Sequence, residues 1–228
     1  MLQNGANSAV GRYVIQMCRA MGVKTINIVR DRPNYEDLEK ELRALGATAV
    51  VKSSLFPLCD TQTYLREKLE LPGPRLALNC VGGAQVGSMV NFIADGGSLV
   101  TYGGMSRKAS STATTLLIFR DIRFLGFWMS RWYDTASPQK HQAMMDDLIG
   151  MFQRGVLVPP KMQEFQFATE WKEAVLKYSD EKLDKPGVTS DAKPLLIIKK
   201  QPWASKQEAE ADHCDPLISS GTARIEES

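Results

Sequence analysis

The sequence lacks long apolar runs, a strong charge of one sign and paired cysteines. No apolar run in its 228 residues approaches the roughly 18 that a membrane-spanning helix needs, and residues 116–119 and 195–198 are among the longest. The formal net charge is only +2, so charge alone does not indicate nucleic acid as a partner. The four cysteines are scattered without a C-x-x-C pair, which is typical of reduced intracellular thiols rather than a disulfide framework.

Histidine is also scarce. The sequence contains only His141 and His213, and neither has ligand partners at a useful spacing. This pattern predicts neither a catalytic triad nor a zinc site, and we expect no bound metal.

Short apolar, β-branched runs alternate with segments of helical period from Met1 to about Gly155. This alternation predicts an α/β fold with a Rossmann-type, doubly wound parallel sheet. The predicted strands are residues 25–29, 49–51, 76–81, 98–102 and 123–129. The predicted helices are residues 10–21, 35–45 and 61–71 and a long helix that begins at Ser137 and Pro138.

The pattern changes after residue 155, so we predict three regions. Residues 1–155 are expected to form the nucleotide-binding domain, with a shortened first strand. Residues 156–200 form a C-terminal segment with strands at 164–167 and 195–198 and a helix at 169–178. Residues 201–228 lose periodicity and carry a net charge of −4, which predicts an acidic, disordered tail.

The stretch NGANSAVG, from Asn4 to Gly11, predicts a small-residue turn between a strand and a helix. Such a turn lets the backbone and the helix N-terminus approach a pyrophosphate. Of the pattern G-x-G-x-x-G only Gly11 is kept, because Ala6 and Ser8 replace the other two glycines. A tight turn that binds nothing is the alternative interpretation.

A basic corner follows the second predicted strand. Nineteen residues after Gly11 the chain reads Arg30, Asp31, Arg32 and Pro33, where a dinucleotide-binding domain meets the adenosine ribose. Two guanidinium groups favour a 2′-phosphate, so the corner favours NADPH over NADH. The alternative is a solvated charged loop, and Asp31 between the arginines argues for it.

Glycine pairs follow two further strands, where open α/β sheets bind ligands. They are Gly82 with Gly83, and Gly103 with Gly104. The next strand should bring three large side chains to the same edge, either against the cofactor or in a buried core or subunit contact. They are Phe127, Trp128 and Met129.

The strings NGANSAVG, TINIVRDRP, LALNCVGG, LVTYGGM and LLIFRDIRFLGFWMS occur in this order. Together they resemble the mitochondrial trans-2-enoyl-CoA/acyl-carrier-protein reductases of the medium-chain dehydrogenase/reductase superfamily. The resemblance extends from about residue 2 to 200.

The resemblance implies an oxidoreductase that uses NADPH to reduce enoyl-CoA or enoyl-acyl-carrier-protein in mitochondrial fatty acid biosynthesis, a part of lipid metabolism. It also implies a homodimer. The residues that it implies at the cofactor are Asn4, Arg30, Asp31, Arg32, Pro33, Ser53, Ser54, Leu55, Tyr102, Gly103, Gly104, Met105, Phe127, Trp128, Met129 and Lys193.

The sequence departs from the family in two places. Ala9 stands where relatives usually carry glycine. The GroES-like catalytic domain, which precedes the nucleotide domain and carries the proton-donating tyrosine, has no counterpart, so we assign no catalytic residue. We therefore expect a C-terminal part whose end would pack on the absent domain and which is inactive alone.

Two other functions stay open at this point. One is a quinone-reductase-like oxidoreductase of the same superfamily. The other is a non-catalytic module that binds a nucleotide or a partner.

Overall fold

The computed structural model describes residues 1–67, 69–71, 73–160, 162–178 and 193–197. The expected acidic tail at 201–228 lies outside the described residues, so its disorder stays a prediction. No helix in the described part is long and apolar enough to cross a membrane.

A parallel sheet of six strands forms the centre of the described chain, as the alternation of the sequence predicts. The strands are Leu2–Gln3 (β1), Ile26–Val29 (β2), Ala49–Lys52 (β3), Leu76–Asn79 (β4), Ser98–Thr101 (β5) and Arg123–Gly126 (β6). Their spatial order is β3-β2-β1-β4-β5-β6. The chain therefore winds outward from β1 in one direction and returns to β4 to wind in the other, which is the doubly wound arrangement.

Within the described residues, five helices connect these strands, and two more follow β6 ahead of the C-terminal segment. They are Ala9–Ala20 (α1), Tyr35–Leu45 (α2), Cys59–Glu67 (α3), Gln85–Phe92 (α4), Thr114–Phe119 (α5), Met129–Thr135 (α6) and Pro138–Gln153 (α7). Gly46 ends α2 at a φ of +112°, a left-handed conformation that glycine adopts without strain. The sequence pattern did not predict α4, α5 or α6.

Three predicted strands of this sheet end earlier than expected, β5 by one residue and β4 and β6 by two and three residues. Residue 79 ends β4 because the Asn79 side chain accepts hydrogen bonds from the backbone of Val81 and Gly82, which turns the chain. The prediction of strand up to residue 129 was wrong, because Met129 already begins α6. The last rung of the β5–β6 ladder is Phe127 N–H to the Thr101 carbonyl, where β5 itself ends.

Apolar residues cover both faces of the central strands. Within β2, Ile28 belongs to one core cluster and Val29 to the other, as alternation across a strand requires. The second cluster joins Ile15 of α1 to Leu38 and Leu42 of α2. The edge strand β6 differs, because all four of its residues are exposed.

The C-terminal segment forms a second, two-stranded parallel sheet from Met162–Gln166 (β7) and Lys193–Ile197 (β8), with Phe167–Tyr178 (α8) between them. The chain entering this segment is bonded to α1. Val158 N–H donates to Gln16 Oε1 at 2.6 Å, and Gln16 Nε2 donates to the Val158 carbonyl at 3.3 Å.

Candidate functional site

The carboxyl ends of the parallel strands meet at one edge of the six-stranded sheet, and the order of the strands reverses between β1 and β4. Ligands of open α/β sheets bind at such a reversal. The structure brings the predicted cofactor residues to this edge, except for Lys193, which begins β8 in the two-stranded sheet.

Asn4 is part of the protein interior at the opening turn. The residue is fully buried. Its Nδ2 donates to Asn79 Oδ1 at 2.8 Å, and its Oδ1 accepts from the Cys80 N–H at 2.8 Å. Because both ends of the amide are engaged, Asn4 can influence a ligand by holding the turn rather than by direct side-chain contact.

Asn79 extends this connection to the next strand. Its Oδ1 also accepts from the N–H groups of Val81 at 3.3 Å and Gly82 at 3.0 Å. Its Nδ2 donates to Thr101 Oγ1 at 3.1 Å. The pair Asn4 and Asn79 thus joins the ends of β1, β4 and β5. Sequence reasoning did not assign Asn79 to the site, although an amide in an apolar strand directly before a glycine pair indicates a side chain that needs hydrogen-bond partners if it is buried.

Gly11 lets helix α1 approach the opening turn. A Cβ atom at Gly11 would lie 2.6 Å from the Ala6 carbonyl oxygen, which is backbone and cannot rotate away. The Ser8 side chain begins the helix by accepting a hydrogen bond from the Gly11 N–H at 3.1 Å. The first-turn N–H groups of Ala9 and Val10 have no acceptor within the helix, which makes this end suited to an anion.

Gly103 and Gly104 differ in whether the surrounding protein leaves room for a side chain. A Cβ at Gly103 would lie 3.2 Å from the Cys80 carbonyl oxygen, so the fold itself disfavours a larger residue. A Cβ at Gly104 would meet nothing within 4 Å, and its φ is not left-handed. The fold therefore gives no reason for glycine at position 104, whereas a flat ligand lying against the backbone would give one.

Asp31 turns toward the loop after β3. Its Oδ2 accepts from Ser53 Oγ at 2.8 Å and from the Ser54 N–H at 3.1 Å, and its Oδ1 accepts from Ser54 Oγ at 2.5 Å. Partial burial opposes the charge, but the hydrogen bonds from Ser54 and Ser53 prevail and lower the pKa of Asp31. Its carboxylate is therefore ionised and engaged within the protein.

The two arginines of this corner differ in exposure. Arg30 is exposed and forms no side-chain ion pair or hydrogen bond with any described residue. Arg32 is buried. Around them Pro33, Ser54 and Leu55 are exposed and Ser53 is half-buried.

Tyr102 places a buried hydroxyl next to the Cys80 thiol, without a hydrogen bond of good geometry to any described residue. Burial raises the pKa of Tyr102, and the neighbouring thiol adds to this effect. Burial raises the pKa of Cys80 as well. Both groups are therefore protonated near neutral pH, and neither is set up as a nucleophile or a base.

The large side chains after β6 are not part of the core. Phe127, Trp128 and Met129 are all exposed, with Trp128 at 62%, and Arg131 stacks 5.5 Å over the Trp128 ring. Met105, at the loop after β5, is also exposed. The alternative that residues 127–129 form a buried core is wrong, because all three side chains are exposed, and this exposure fits contact with a cofactor or with a second subunit.

A metal site was not found among the residues that the structure describes. No three His, Cys, Asp or Glu side chains there lie close enough together to hold an ion.

Residues 9–147 match the model of the zinc-binding dehydrogenase family. Over 154 residues, 67% of this chain, the sequence is 49% identical to the mitochondrial enoyl-[acyl-carrier-protein] reductase of Caenorhabditis elegans, of which that stretch covers 42%. The chain spans less than half the length of the curated relatives that it matches.

Solved structures agree with this likeness. The mitochondrial 2-enoyl thioester reductase Etr1p/Etr2p heterodimer from Candida tropicalis matches with a TM-score of 0.72 and 28% identity over 78% of this chain and 51% of that one. The Etr1p/NADP/crotonyl-CoA complex matches with a TM-score of 0.70 and 27% identity, over the same shares.

Proposed function

Because the chain belongs to the zinc-binding dehydrogenase family, we propose that its six-stranded sheet binds NADPH and supplies the cofactor-binding half of a reductase for trans-2-enoyl thioesters. The observation that carries the proposal is the engaged carboxylate of Asp31. With Asp31 held by Ser53 and Ser54, the exposed guanidinium of Arg30 is available to a 2′-phosphate.

The substrate class follows from the relatives. One similar structure is described as a complex of Etr1p with NADP and crotonyl-CoA, which is a 2-enoyl thioester. The similar Caenorhabditis elegans protein is named a mitochondrial enoyl-[acyl-carrier-protein] reductase. We therefore propose enoyl-CoA or enoyl-acyl-carrier-protein as the substrate, and mitochondrial fatty acid synthesis as the setting.

The described residues fit NADPH in three places. The turn from Asn4 to Gly11 offers the N-terminus of α1 to the pyrophosphate. The proposed adenosine corner consists of Arg30, Asp31, Arg32 and Pro33, with Ser53, Ser54 and Leu55 beside them.

The proposed nicotinamide end consists of Tyr102, Gly103, Gly104 and Met105, together with Phe127, Trp128 and Met129. Lys193 is a further proposed contact. When bound, NADPH would supply a hydride to the β-carbon of the enoyl thioester.

No described tyrosine is proposed as the proton donor. Tyr102 is nearest to the proposed nicotinamide end, but a raised pKa makes its hydroxyl a weaker acid. We propose that residues 1–155 form the nucleotide-binding domain and that residues 156–200 belong with the catalytic domain of longer relatives. On this division the chain alone positions the cofactor without completing the reaction.

We also propose a homodimer formed along β6. This strand is at the edge of the sheet, and it exposes Phe124 and Leu125. An exposed apolar edge with unpaired backbone groups favours pairing with another strand. The similar structure from Candida tropicalis is described as a heterodimer.

Calorimetry with NADPH and NADH tests the cofactor proposal. We expect the chain to bind NADPH measurably more tightly than NADH, and to oxidise no NADPH when crotonyl-CoA is added. Equal affinity for both dinucleotides would contradict the proposed role of the arginine corner. Turnover of crotonyl-CoA by the chain alone would contradict its inactivity, and NADPH oxidation by a longer relative with quinones but not with enoyl thioesters would favour the quinone-reductase alternative.

A further inference from the structure

Arg12, the fourth residue of α1, is charged and buried. It is 5% exposed, and with Arg32 it makes up the buried charged residues of the described chain. A cation near the N-terminus of a helix opposes the helix dipole, and burial of a charge costs free energy unless the charge is paired. The position of Arg12 therefore needs a specific reason.

The guanidinium of Arg12 joins two separate parts of the chain. Its Nε donates to the carbonyl oxygen of Asn7, in the opening turn, at 3.1 Å. Its Nη2 donates to Glu41 Oε2, on helix α2, at 2.9 Å. The planar guanidinium fixes both directions at once, which a lysine amine could not do.

Packing of the two helices does not require this bridge. Ile15 of α1 already contacts the cluster that contains Leu38 and Leu42 of α2. Apolar side chains in place of a buried ion pair are often at least as stabilising. Unlike an apolar contact, the hydrogen bonds of Arg12 are directional. One fixes the position of the Asn7 carbonyl oxygen in the turn, and the other fixes the Glu41 carboxylate on α2.

The bridge fixes the peptide between Asn7 and Ser8. The Ser8 N–H donates to the Gly5 carbonyl at 2.9 Å, and the Asn7 carbonyl accepts from Arg12. A carbonyl oxygen that faced an anion would repel it. By holding the Asn7 oxygen, Arg12 keeps this repulsive group directed at its own guanidinium rather than toward a bound phosphate.

The bridge from Asn7 to Glu41 also sets the distance between the opening turn and helix α2. The opening turn and the corner at residues 30–33 are the two places where the proposed dinucleotide would be held, and that corner leads directly into α2. A dinucleotide must contact both places simultaneously, so its affinity depends on their spacing.

We propose that Arg12 is a positioning residue that holds the pyrophosphate turn and the adenosine corner at the spacing required by NADPH. This inference rests on the proposed function. It concerns a residue whose guanidinium is engaged by Asn7 and Glu41, and which acts on the turn and on α2 through them.

The test compares a ligand that spans both places with one that contacts only the corner. NADPH is the first, and 2′-AMP, which carries the adenosine and its 2′-phosphate, is the second. Calorimetry is carried out on the full chain and on Arg12→Met, which removes both hydrogen bonds, and on Arg12→Lys, which keeps the charge.

We expect both Arg12 variants to weaken NADPH binding about tenfold while 2′-AMP binding changes less than about twofold. Arg43→Met is the matched control, because it removes an arginine–glutamate pair on α2, Arg43 with Glu39 at 2.7 Å, that does not contact the turn. This control should bind both ligands as the unsubstituted chain does.

A purely structural role would weaken both ligands equally in Arg12→Met, and that result would overturn the proposal. Full NADPH affinity in Arg12→Lys would also overturn it, since charge alone would then suffice. If Arg12→Met does not fold, as seen in a thermal melt, Glu41→Gln replaces it, and unchanged NADPH affinity there would overturn the proposal. If the unsubstituted chain binds neither ligand, the proposed function itself fails, which is a distinguishable result.

Discussion

Asn4 Nδ2 donates to Asn79 Oδ1 at 2.8 Å, and this bond joins the ends of β1 and β4. These are the two neighbouring strands between which the winding direction of the sheet reverses. Asn79 also accepts a hydrogen bond from the Gly82 N–H and donates one to Thr101 Oγ1. The bond is therefore part of a network that joins the ends of β1, β4 and β5 at the candidate site. Two amides that are 75 residues apart in sequence thus act as one structural unit.

Asn79→Ala should destabilise the chain by about 2–3 kcal/mol, since it leaves the buried Nδ2 of Asn4 and two backbone N–H groups without acceptors. Urea denaturation followed by circular dichroism measures this change. Thr101→Val, which removes one hydrogen-bond partner of Asn79, should cost only about 1 kcal/mol. Equal losses of unfolding free energy in the two variants would contradict the inference that Asn79 is the main acceptor of this network.

Gly104→Ala should weaken NADPH binding without changing stability. A Cβ at this position meets no protein atom within 4 Å, so we expect the free energy of unfolding to stay within about 0.5 kcal/mol. A bound nicotinamide would meet the added methyl group. Calorimetric titration with NADPH and urea denaturation together test this separation of binding from stability.

Gly11→Ala is the contrasting variant. Its Cβ would lie 2.6 Å from the Ala6 carbonyl oxygen, and such overpacking costs about 1–3 kcal/mol. A stable Gly11→Ala variant, or an unstable Gly104→Ala variant, would contradict the distinction between a glycine that the fold needs and one that the ligand needs.

Arg30→Ala should reduce the preference for NADPH over NADH. Loss of one charge-assisted hydrogen bond to the 2′-phosphate is expected to weaken NADPH binding about tenfold to a hundredfold, with NADH affected little. The control is Lys40→Ala, an exposed cation on α2 outside the corner. A parallel loss of affinity for both dinucleotides would argue against a 2′-phosphate contact.

The hydrogen bonds to Asp31 should make stability depend on pH in the acid range. The pKa of Asp31 is lowered in the folded chain, whereas the unfolded value is about 3.9. The stabilisation is therefore present above the unfolded pKa and is lost as the pH falls through the folded pKa.

We test this with the double variant Ser53→Ala and Ser54→Ala. Its urea midpoint should lie below that of the unsubstituted chain at neutral pH, and the difference should narrow below about pH 4. A difference that is constant down to low pH would show that the carboxylate charge is not involved.

Leu125→Glu should convert the proposed dimer to a monomer. Leu125 is 52% exposed on the edge strand β6, and charges on edge strands oppose strand pairing. Light scattering after size-exclusion chromatography gives the mass. Val23→Glu, at an exposed position on the loop before β2, is the control that should leave the mass unchanged.

Much of the fold could be predicted from local patterns. The runs that became β2, β3 and β5 are apolar and β-branched, and Gly46 ends α2 as its position in the sequence indicates. The cofactor edge followed from these strands, because the carboxyl ends of parallel strands meet at one edge. The resemblance to the reductase family agrees with the family and structural matches.

Other features could not be predicted in this way. The exposure of β6 depends on its place at the edge of the sheet, which is a property of the strand order. The start of α6 at Met129 lies where the ladder with β5 has ended, since the last paired residues are Thr101 and Gly126. The role of Asp31 depends on serines 22 and 23 residues later in the chain. The sequence showed Asp31 only as an acid between two arginines.

The sequence by itself determined the order and type of the main elements, because helical and strand periodicity depends on residues only a few positions apart. Only the tertiary structure decided that Asn79 supports Asn4 and that Arg12 bridges Asn7 to Glu41. Hydrogen bonds between polar groups far apart in the chain depend on which strands become neighbours and how the helices pack on them, and local residue patterns carry no such information.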